Sequence, residues 1–156
     1  MGEMAIELTG GCACGAVRYR IEREPIFVNN CHCRLCQRQT GSTSVVNAFY
    51  EFDAIEQLSG DTLQQTVKAG SGGDHVIVRC SACGTALWSH YARLGTLGAG
   101  VRAGTLDEPG SLRPDAAIFV ASRMPWVTLP EGIPHFDTSY DPSQLLPPER
   151  MARLRR

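Results

Sequence analysis

The sequence predicts an all-β fold of short antiparallel strands in two packed sheets. Residues 16–22 alternate apolar and charged side chains, as a half-buried strand does. Residues 43–50, 76–78 and 118–120 are rich in β-branched and aromatic side chains, which strands favour. Glycine-rich turns separate these runs, and only residues 147–156 are predicted to form a short helix, read as a solvated basic end. Short strands without intervening helices favour packing of sheet on sheet.

The length and composition are those of an ordinary globular protein. The 156 residues predict a single domain over residues 1–156, with 43% hydrophobic and 20% charged residues. A net charge of −1 gives no electrostatic reason to expect nucleic acid as a partner. No apolar run approaches the roughly 18 residues of a membrane span, and no signal-peptide pattern is visible. We therefore expect a cytoplasmic protein whose thiols stay reduced and available to a metal.

The cysteines give the clearest functional signal. The chain has seven of them, in three clusters with one or two residues between neighbours: Cys12 and Cys14, then Cys31, Cys33 and Cys36, then Cys80 and Cys83. Such spacing is typical of side chains that converge on one metal ion. Zinc is favoured among metals that prefer soft ligands, and an iron–sulfur cluster is the competing interpretation. Four thiolates complete a tetrahedral structural site, and the remaining three would leave one position open.

The first and third clusters are predicted to form the closed site. On an extended segment residues i and i+2 project to the same side, so Cys12 and Cys14 can reach one ion. Cys80 and Cys83 lie on a tight turn of the metal-knuckle type, followed by Gly84, where we expect a positive φ. The alternative, four buried free cysteines, does not explain the spacing. The three cysteines of the central cluster are then left for a site with an open position.

Several motifs resemble one known family. They span nearly the whole chain: residues 10–19, Cys31-His32-Cys33-x-x-Cys36, Thr40-Gly41-Ser42, Arg79-Cys80-x-x-Cys83-Gly84, residues 103–107 and Ser122-Arg123-x-Pro125-Trp126. Together they resemble the glutathione-dependent formaldehyde-activating enzyme family, which also contains the centromere protein V group. The resemblance covers residues 9–137, leaves residues 138–156 as a tail, and implies a Mss4-like zinc-binding fold.

The resemblance also implies an activity and two zinc ions per chain. A structural zinc would be held by Cys12, Cys14, Cys80 and Cys83, and a catalytic zinc by Cys31, Cys33 and Cys36. The implied enzyme is a carbon–sulfur lyase that joins glutathione and formaldehyde as S-hydroxymethylglutathione, so its partners would be a small thiol and an aldehyde. The alternative is a zinc-stabilised binding module without catalysis.

Residues beside the central cluster are candidates for substrate contacts. His32 is expected to project away from the metal and either carry a proton or support the ligands. Arg34 and Arg38 can hold carboxylates of a peptide-like thiol, or can be solvated surface residues. Thr40 and Ser42 offer hydroxyl groups, for a turn or for substrate. Four further side chains are not assigned a chemical role: Trp126 is predicted to be a core anchor, and His75, His90 and His135 are not expected to be ligands.

Overall fold

The structure is a computed structural model that describes residues 7–69, 72–92, 94 and 98–154. Ten strands and two short α-helices lie within these residues. The strands are β1 (Leu8–Gly11), β2 (Arg18–Ile21), β3 (Phe27–Cys31), β4 (Val45–Glu51), β5 (Ile55–Ser59), β6 (Thr62–Lys68), β7 (Asp74–Cys80), β8 (Ala86–Tyr91), β9 (Gly98–Arg102) and β10 (Ala116–Ile118). The helices are α1 (Arg34–Thr40) and α2 (Pro148–Arg153). None of the described helices is long and apolar enough to cross a membrane.

The strands form two sheets, which confirms the all-β prediction. One sheet has the order β1-β2-β5 and the other the order β10-β3-β4-β9-β8-β7-β6. One pairing departs from the antiparallel prediction, because β10 runs parallel to β3, with Ile118 opposite Cys31. This strand arrives after a long connection from β9 and covers the edge of β3, whose backbone groups would otherwise lack partners.

The main hydrophobic core lies between the two sheets. Val17, Tyr19 and Ile21 from the β2 region are fully buried, as the alternation in residues 16–22 predicts. They pack with residues of the large sheet such as Trp88 and Val101. The rings of Tyr19 and Trp88 meet edge to face, with centroids 5.8 Å apart. One face of the large sheet is therefore buried against the small sheet.

The opposite face of the large sheet carries buried polar side chains. Asn29 of β3 lies opposite Asn47 of β4, which in turn lies opposite Arg102 of β9, and all three are buried. On β7, His75 is buried and stacks on Tyr91 of β8, with ring centroids 4.2 Å apart. Because side chains alternate along a strand, Cys31 projects to the same face as Asn29. The central cysteine cluster therefore lies on this polar face and not in the main core.

Helix α1 was not predicted from the sequence. Cys33 precedes it, and the Cys33 Sγ atom accepts a hydrogen bond from the Cys36 backbone N–H at 3.3 Å. The helix ends at Gly41, which has a φ of 66°. Its one buried residue is Gln37, a polar side chain that donates to the carbonyls of His32 and Ser122. Seven residues with a polar inner face give no apolar period to detect.

The C-terminal segment packs against the large sheet. The predicted helix is confirmed as α2, although Arg155 and Arg156 lie outside the described residues. The expected solvated end is wrong for the rest, because Arg153 pairs with Glu51 at 2.5 Å and Arg150 with Asp115 at 3.2 Å. Apolar contacts made by Leu146 and Leu154 hold the same segment in place.

Candidate metal centres

Four cysteines from distant parts of the chain meet at one point. Their Sγ atoms all lie within 4.8 Å of one another: Cys12, Cys14, Cys80 and Cys83. The first two follow β1, and the other two lie at the end of β7 and in the turn before β8. This is the convergence that the sequence predicts for the closed site.

Local backbone geometry differs between the two halves of this cluster. Cys12 and Cys14 lie in a turn rather than on an extended segment, because the Gly15 N–H donates to the Cys12 carbonyl. The Cys80 sulfur accepts N–H groups from Ala82 at 3.4 Å and Cys83 at 3.5 Å, as in a metal knuckle. Gly84 has the expected positive φ, at 79°.

Hydrogen bonds favour the thiolate form of two of these four cysteines. A hydrogen bond from the Val17 backbone N–H lowers the pKa of Cys12, and one from the Thr85 hydroxyl lowers the pKa of Cys83 to about 5. Thiolate is the form that binds metal. A backbone hydrogen bond from Ala16 lowers the pKa of Cys14, but hydrogen bonds with Cys12 and Cys83 outweigh it and raise that pKa to about 11.

The central cluster has three members. Cys31 ends β3, Cys33 precedes α1, and Cys36 lies in the first turn of α1. Their Sγ atoms also lie within 4.8 Å of one another, and the group includes no histidine or carboxylate from the described part of the chain. The Cys31 and Cys36 sulfurs are 3.6 Å apart. A strand end and a helix start could thus supply three sulfur ligands, one fewer than a tetrahedral ion takes.

Sulfur separations in both clusters fit zinc. Tetrahedral Zn–S bonds of about 2.3 Å place the sulfur atoms roughly 3.8 Å apart. The measured separations are 3.5 Å for Cys12 and Cys14, 3.9 Å for Cys14 and Cys80, and 3.6 Å for Cys31 and Cys36. All seven cysteines are free of disulfide bonds. Both groups can therefore bind a metal, and their sulfur-only composition is suited to zinc.

The three central thiols differ in how readily they ionise. Hydrogen bonds from Cys31 and then Cys36 lower the pKa of Cys33 to about 2. The interaction with Cys33 raises the pKa of Cys31 to about 11, and the interaction with Cys31 raises the pKa of Cys36. The Cys33 sulfur also accepts a hydrogen bond from the Cys36 backbone N–H.

Comparison with known proteins agrees with this cysteine arrangement. The model of the family described as "Glutathione-dependent formaldehyde-activating enzyme" matches residues 7–122, which is most of the chain and includes all seven cysteines. The chain belongs to the glutathione-dependent formaldehyde-activating enzyme family. Its two cysteine clusters lie within the matched region, and α2 lies outside it.

Other comparisons add little to this family assignment. A crystal structure of a Rhodobacter sphaeroides protein is similar to the chain, with 17% sequence identity and a TM-score of 0.48. The match covers 81% of this chain and 98% of that chain. With a TM-score this low, the likeness carries no argument about fold or function. No curated protein matches the chain significantly.

The remaining predicted site residues of this family member lie around α1 in different environments. Arg34 and Arg38 are exposed on the helix, and Arg34 donates to Gln37. The Thr40 hydroxyl donates to the Cys36 carbonyl at 2.8 Å, and Ser42 is exposed in the turn that follows. His32 is 1% exposed and lies outside the ligand group, and neither ring nitrogen has a hydrogen-bond partner among the described residues.

Trp126 corrects one sequence prediction. It was expected as a core anchor, but its side chain is 73% exposed. It belongs to the loop after Ser122, whose carbonyl accepts a hydrogen bond from Gln37 of α1. The apolar content of an aromatic residue predicts burial in general, and here the surrounding loop lies on the surface.

Sequence reasoning missed two arginines near the central cluster. Arg79 and Arg102 line a cavity of about 460 Å³ together with Thr40 of α1 and Val45 of β4. Val45 lies opposite Cys31 in the β3–β4 register and packs with it. Neither arginine lies close in sequence to the three central cysteines. Both arginines reach that region because β4, β9, β8 and β7 are neighbours in the large sheet.

Proposed function

We propose that this protein is a zinc-dependent carbon–sulfur lyase of the glutathione-dependent formaldehyde-activating type, which forms S-hydroxymethylglutathione from glutathione and formaldehyde. The observation that carries the proposal is the pair of unequal clusters, one with four converging sulfur atoms and one with three. A four-sulfur set completes a structural site, whereas a three-sulfur set leaves room for a substrate thiol. The family match over residues 7–122 supports the same reaction class.

The two clusters would have different roles. Cys12, Cys14, Cys80 and Cys83 would hold a structural zinc, and Cys31, Cys33 and Cys36 a catalytic one. Zinc bound at three thiolates can accept a fourth thiol, keep it deprotonated near neutral pH and polarise an aldehyde oxygen. The chain's own contribution is to fix the three sulfur atoms, because Cys31 belongs to a paired strand and Cys36 to a capped helix.

The reaction requires one bond to form and one proton to move. The substrate thiol loses its proton, the sulfur attacks the carbonyl carbon, and a carbon–sulfur bond forms. The C=O π electrons move to oxygen, which takes up a proton, so the product contains all atoms of thiol and aldehyde. His32 is proposed as a proton carrier from its position beside the ligands, and His32→Gln is then expected to lower turnover without loss of zinc.

The cellular location of the protein is proposed from the same thiol chemistry. We propose a cytoplasmic location, because all seven cysteines are free of disulfides and a reducing compartment keeps thiols available for metal.

Exchange NMR tests the proposed reaction. At equilibrium, glutathione, formaldehyde and the adduct interconvert spontaneously, and zinc-loaded protein should raise this exchange rate. Cys33→Ser should return the rate to the spontaneous value while the circular dichroism spectrum is unchanged. All seven cysteines belong to one of the two clusters, so no other cysteine can serve as a control substitution. Wild-type protein that has been depleted of zinc and then reloaded is the control instead. Unchanged exchange with wild-type protein that retains two zinc ions would instead favour the non-catalytic binding module.

A further inference from the structure

A cavity of about 460 Å³ lies between the end of α1 and strands β7 and β9. Its lining includes Thr40 of α1, Val45 and Ile77 of the large sheet, and the guanidinium-bearing side chains of Arg79 and Arg102. No aspartate or glutamate lines it among the described residues. The cavity is therefore positively charged, and its walls contain both polar and apolar side chains.

Arg102 is an unusual residue to find in such a place. It is only 7% exposed, one of its terminal nitrogens donates to the Asn47 side-chain carbonyl at 2.6 Å, and its Nε has no partner. No carboxylate pairs with it in the part of the chain that the structure describes. A buried charge without a counter-ion is unfavourable, so an arginine retained here indicates a place for an external anion.

Arg79 has the same lack of an acidic partner. Its Nε donates to the Gln65 side-chain carbonyl at 3.1 Å, and a terminal nitrogen donates to the Gly84 backbone carbonyl at 3.1 Å. Both acceptors are neutral. Two guanidinium groups with only neutral acceptors therefore border one cavity, which is the donor set that holds carboxylates.

The cavity adjoins the central cluster through two elements. Thr40 lies one helical turn after Cys36 and donates to its carbonyl, and Val45 packs against Cys31.

We propose that Arg102 and Arg79 bind a carboxylate of the thiol substrate while its sulfur is held at the central cluster. This inference rests on the proposed function and assigns the two residues that would hold a carboxylate of its thiol substrate. Arg34 and Arg38, predicted from the sequence for this role, are exposed and outside the cavity lining.

Thiol titrations of the cobalt-loaded full chain test the proposal, with the change in the cobalt absorption spectrum as readout. The probes are glutathione, its diester and 2-mercaptoethanol. Wild-type protein should bind glutathione about tenfold or more tightly than the diester, because charge-assisted hydrogen bonds are lost in the ester. Arg102→Met and Arg79→Met should bring that ratio close to one and leave 2-mercaptoethanol affinity unchanged. Arg113→Met, at an exposed arginine that donates to the Glu131 carbonyl and does not line the cavity, should keep the wild-type ratio.

Two further experiments cover a variant that does not fold and a protein whose cobalt spectrum does not change with any thiol. If Arg102→Met does not fold, Arg102→Gln and Arg79→Met, at the half-exposed arginine, give the ratio instead. A ratio that survives in those variants, or that falls only in Arg34→Met or Arg38→Met, overturns the proposal. If no thiol changes the cobalt spectrum, the proposed function fails, and S-methylglutathione then tests the cavity alone by calorimetry. Its binding to wild-type but not to Arg79→Met protein supports an anion site, and its failure to bind overturns one.

Discussion

The Sγ atom of Cys14 lies 3.9 Å from the Sγ atom of Cys80, although 66 residues separate them. The contact joins the turn after β1, in the three-stranded sheet, to the end of β7, in the seven-stranded sheet. An ion held by this cluster would therefore connect the two sheets of the fold. The central cluster makes no such connection, since Cys31, Cys33 and Cys36 come from adjacent elements.

Removing a ligand from the four-cysteine cluster should unfold the protein. Cys80 is fully buried, and Cys80→Ser is expected to reduce the free energy of unfolding by more than about 5 kcal/mol, because structural zinc contributes directly to folding. Cys33→Ser should change it by less than about 2 kcal/mol, since an ion open to exchange contributes less. Urea unfolding followed by circular dichroism measures both. A Cys80→Ser protein with a wild-type midpoint would rule out a structural zinc there.

The metal content should be two zinc ions per chain. Native mass spectrometry of protein purified without chelator should show two ions, of which the one at the three-cysteine cluster leaves first on mild chelation. In Cys33→Ser protein the mass should correspond to one zinc. A single ion in the wild-type protein would contradict the two-site account, and a visible iron–sulfur absorption spectrum would contradict zinc.

The pairing of Arg153 with Glu51 should contribute to stability. Both side chains are largely buried, at 21% and 13% exposure, and two guanidinium nitrogens contact the carboxylate. Arg153→Met leaves Glu51 partly buried with only the more distant Arg23 nearby, so a loss of about 1–3 kcal/mol is expected in urea unfolding. Arg20→Met, which breaks the more exposed ion pairs with Glu56 and Glu22, is the matched control and should lose less stability than Arg153→Met.

The buried His75 should make stability depend on pH. Burial first, and then the charges of Arg102 and Arg79, lower its pKa from 6.5 to about 4, while Cys33 acts in the opposite direction. Between those pH values the unfolded chain binds more protons at this residue than the folded one. The free energy of unfolding therefore falls as the pH drops from 6.5 toward 4.

Comparing wild-type and His75→Phe proteins at pH 7 and pH 5 isolates this effect, since phenylalanine can retain the stacking on Tyr91. The wild type should lose about 2 kcal/mol more than the variant over this interval. Equal losses would show that His75 is protonated in the folded protein as readily as in the unfolded chain.

Local patterns in the sequence predicted much of the fold and the composition of both clusters. Alternation in residues 16–22 identified the buried face of β2, and the spacing of Cys80, Cys83 and Gly84 identified the metal knuckle. Both signals arise within a few residues, where backbone geometry fixes the direction of side chains. Helix α1 gave no such signal, because its buried residue is the polar Gln37.

The carboxylate cavity could not be predicted from the sequence, because it depends on contacts between distant residues. Arg79 lies beside Cys80, which belongs to the other cysteine cluster, and Arg102 lies 66 residues after Cys36. Only the order of strands in the large sheet places both beside the end of α1. Sequence proximity instead favoured Arg34 and Arg38, which project into solvent from the helix.

Zinc X-ray absorption with and without glutathione tests the central claim most directly, that the three-cysteine cluster takes a substrate thiol as its fourth ligand. Averaged over a four-sulfur and a three-sulfur site, the protein alone should show about 3.5 sulfur ligands per zinc. Glutathione should raise this average to about 4, and S-methylglutathione should leave it unchanged. An average that stays at about 3.5 with saturating glutathione, in protein that retains both zinc ions, would contradict the account.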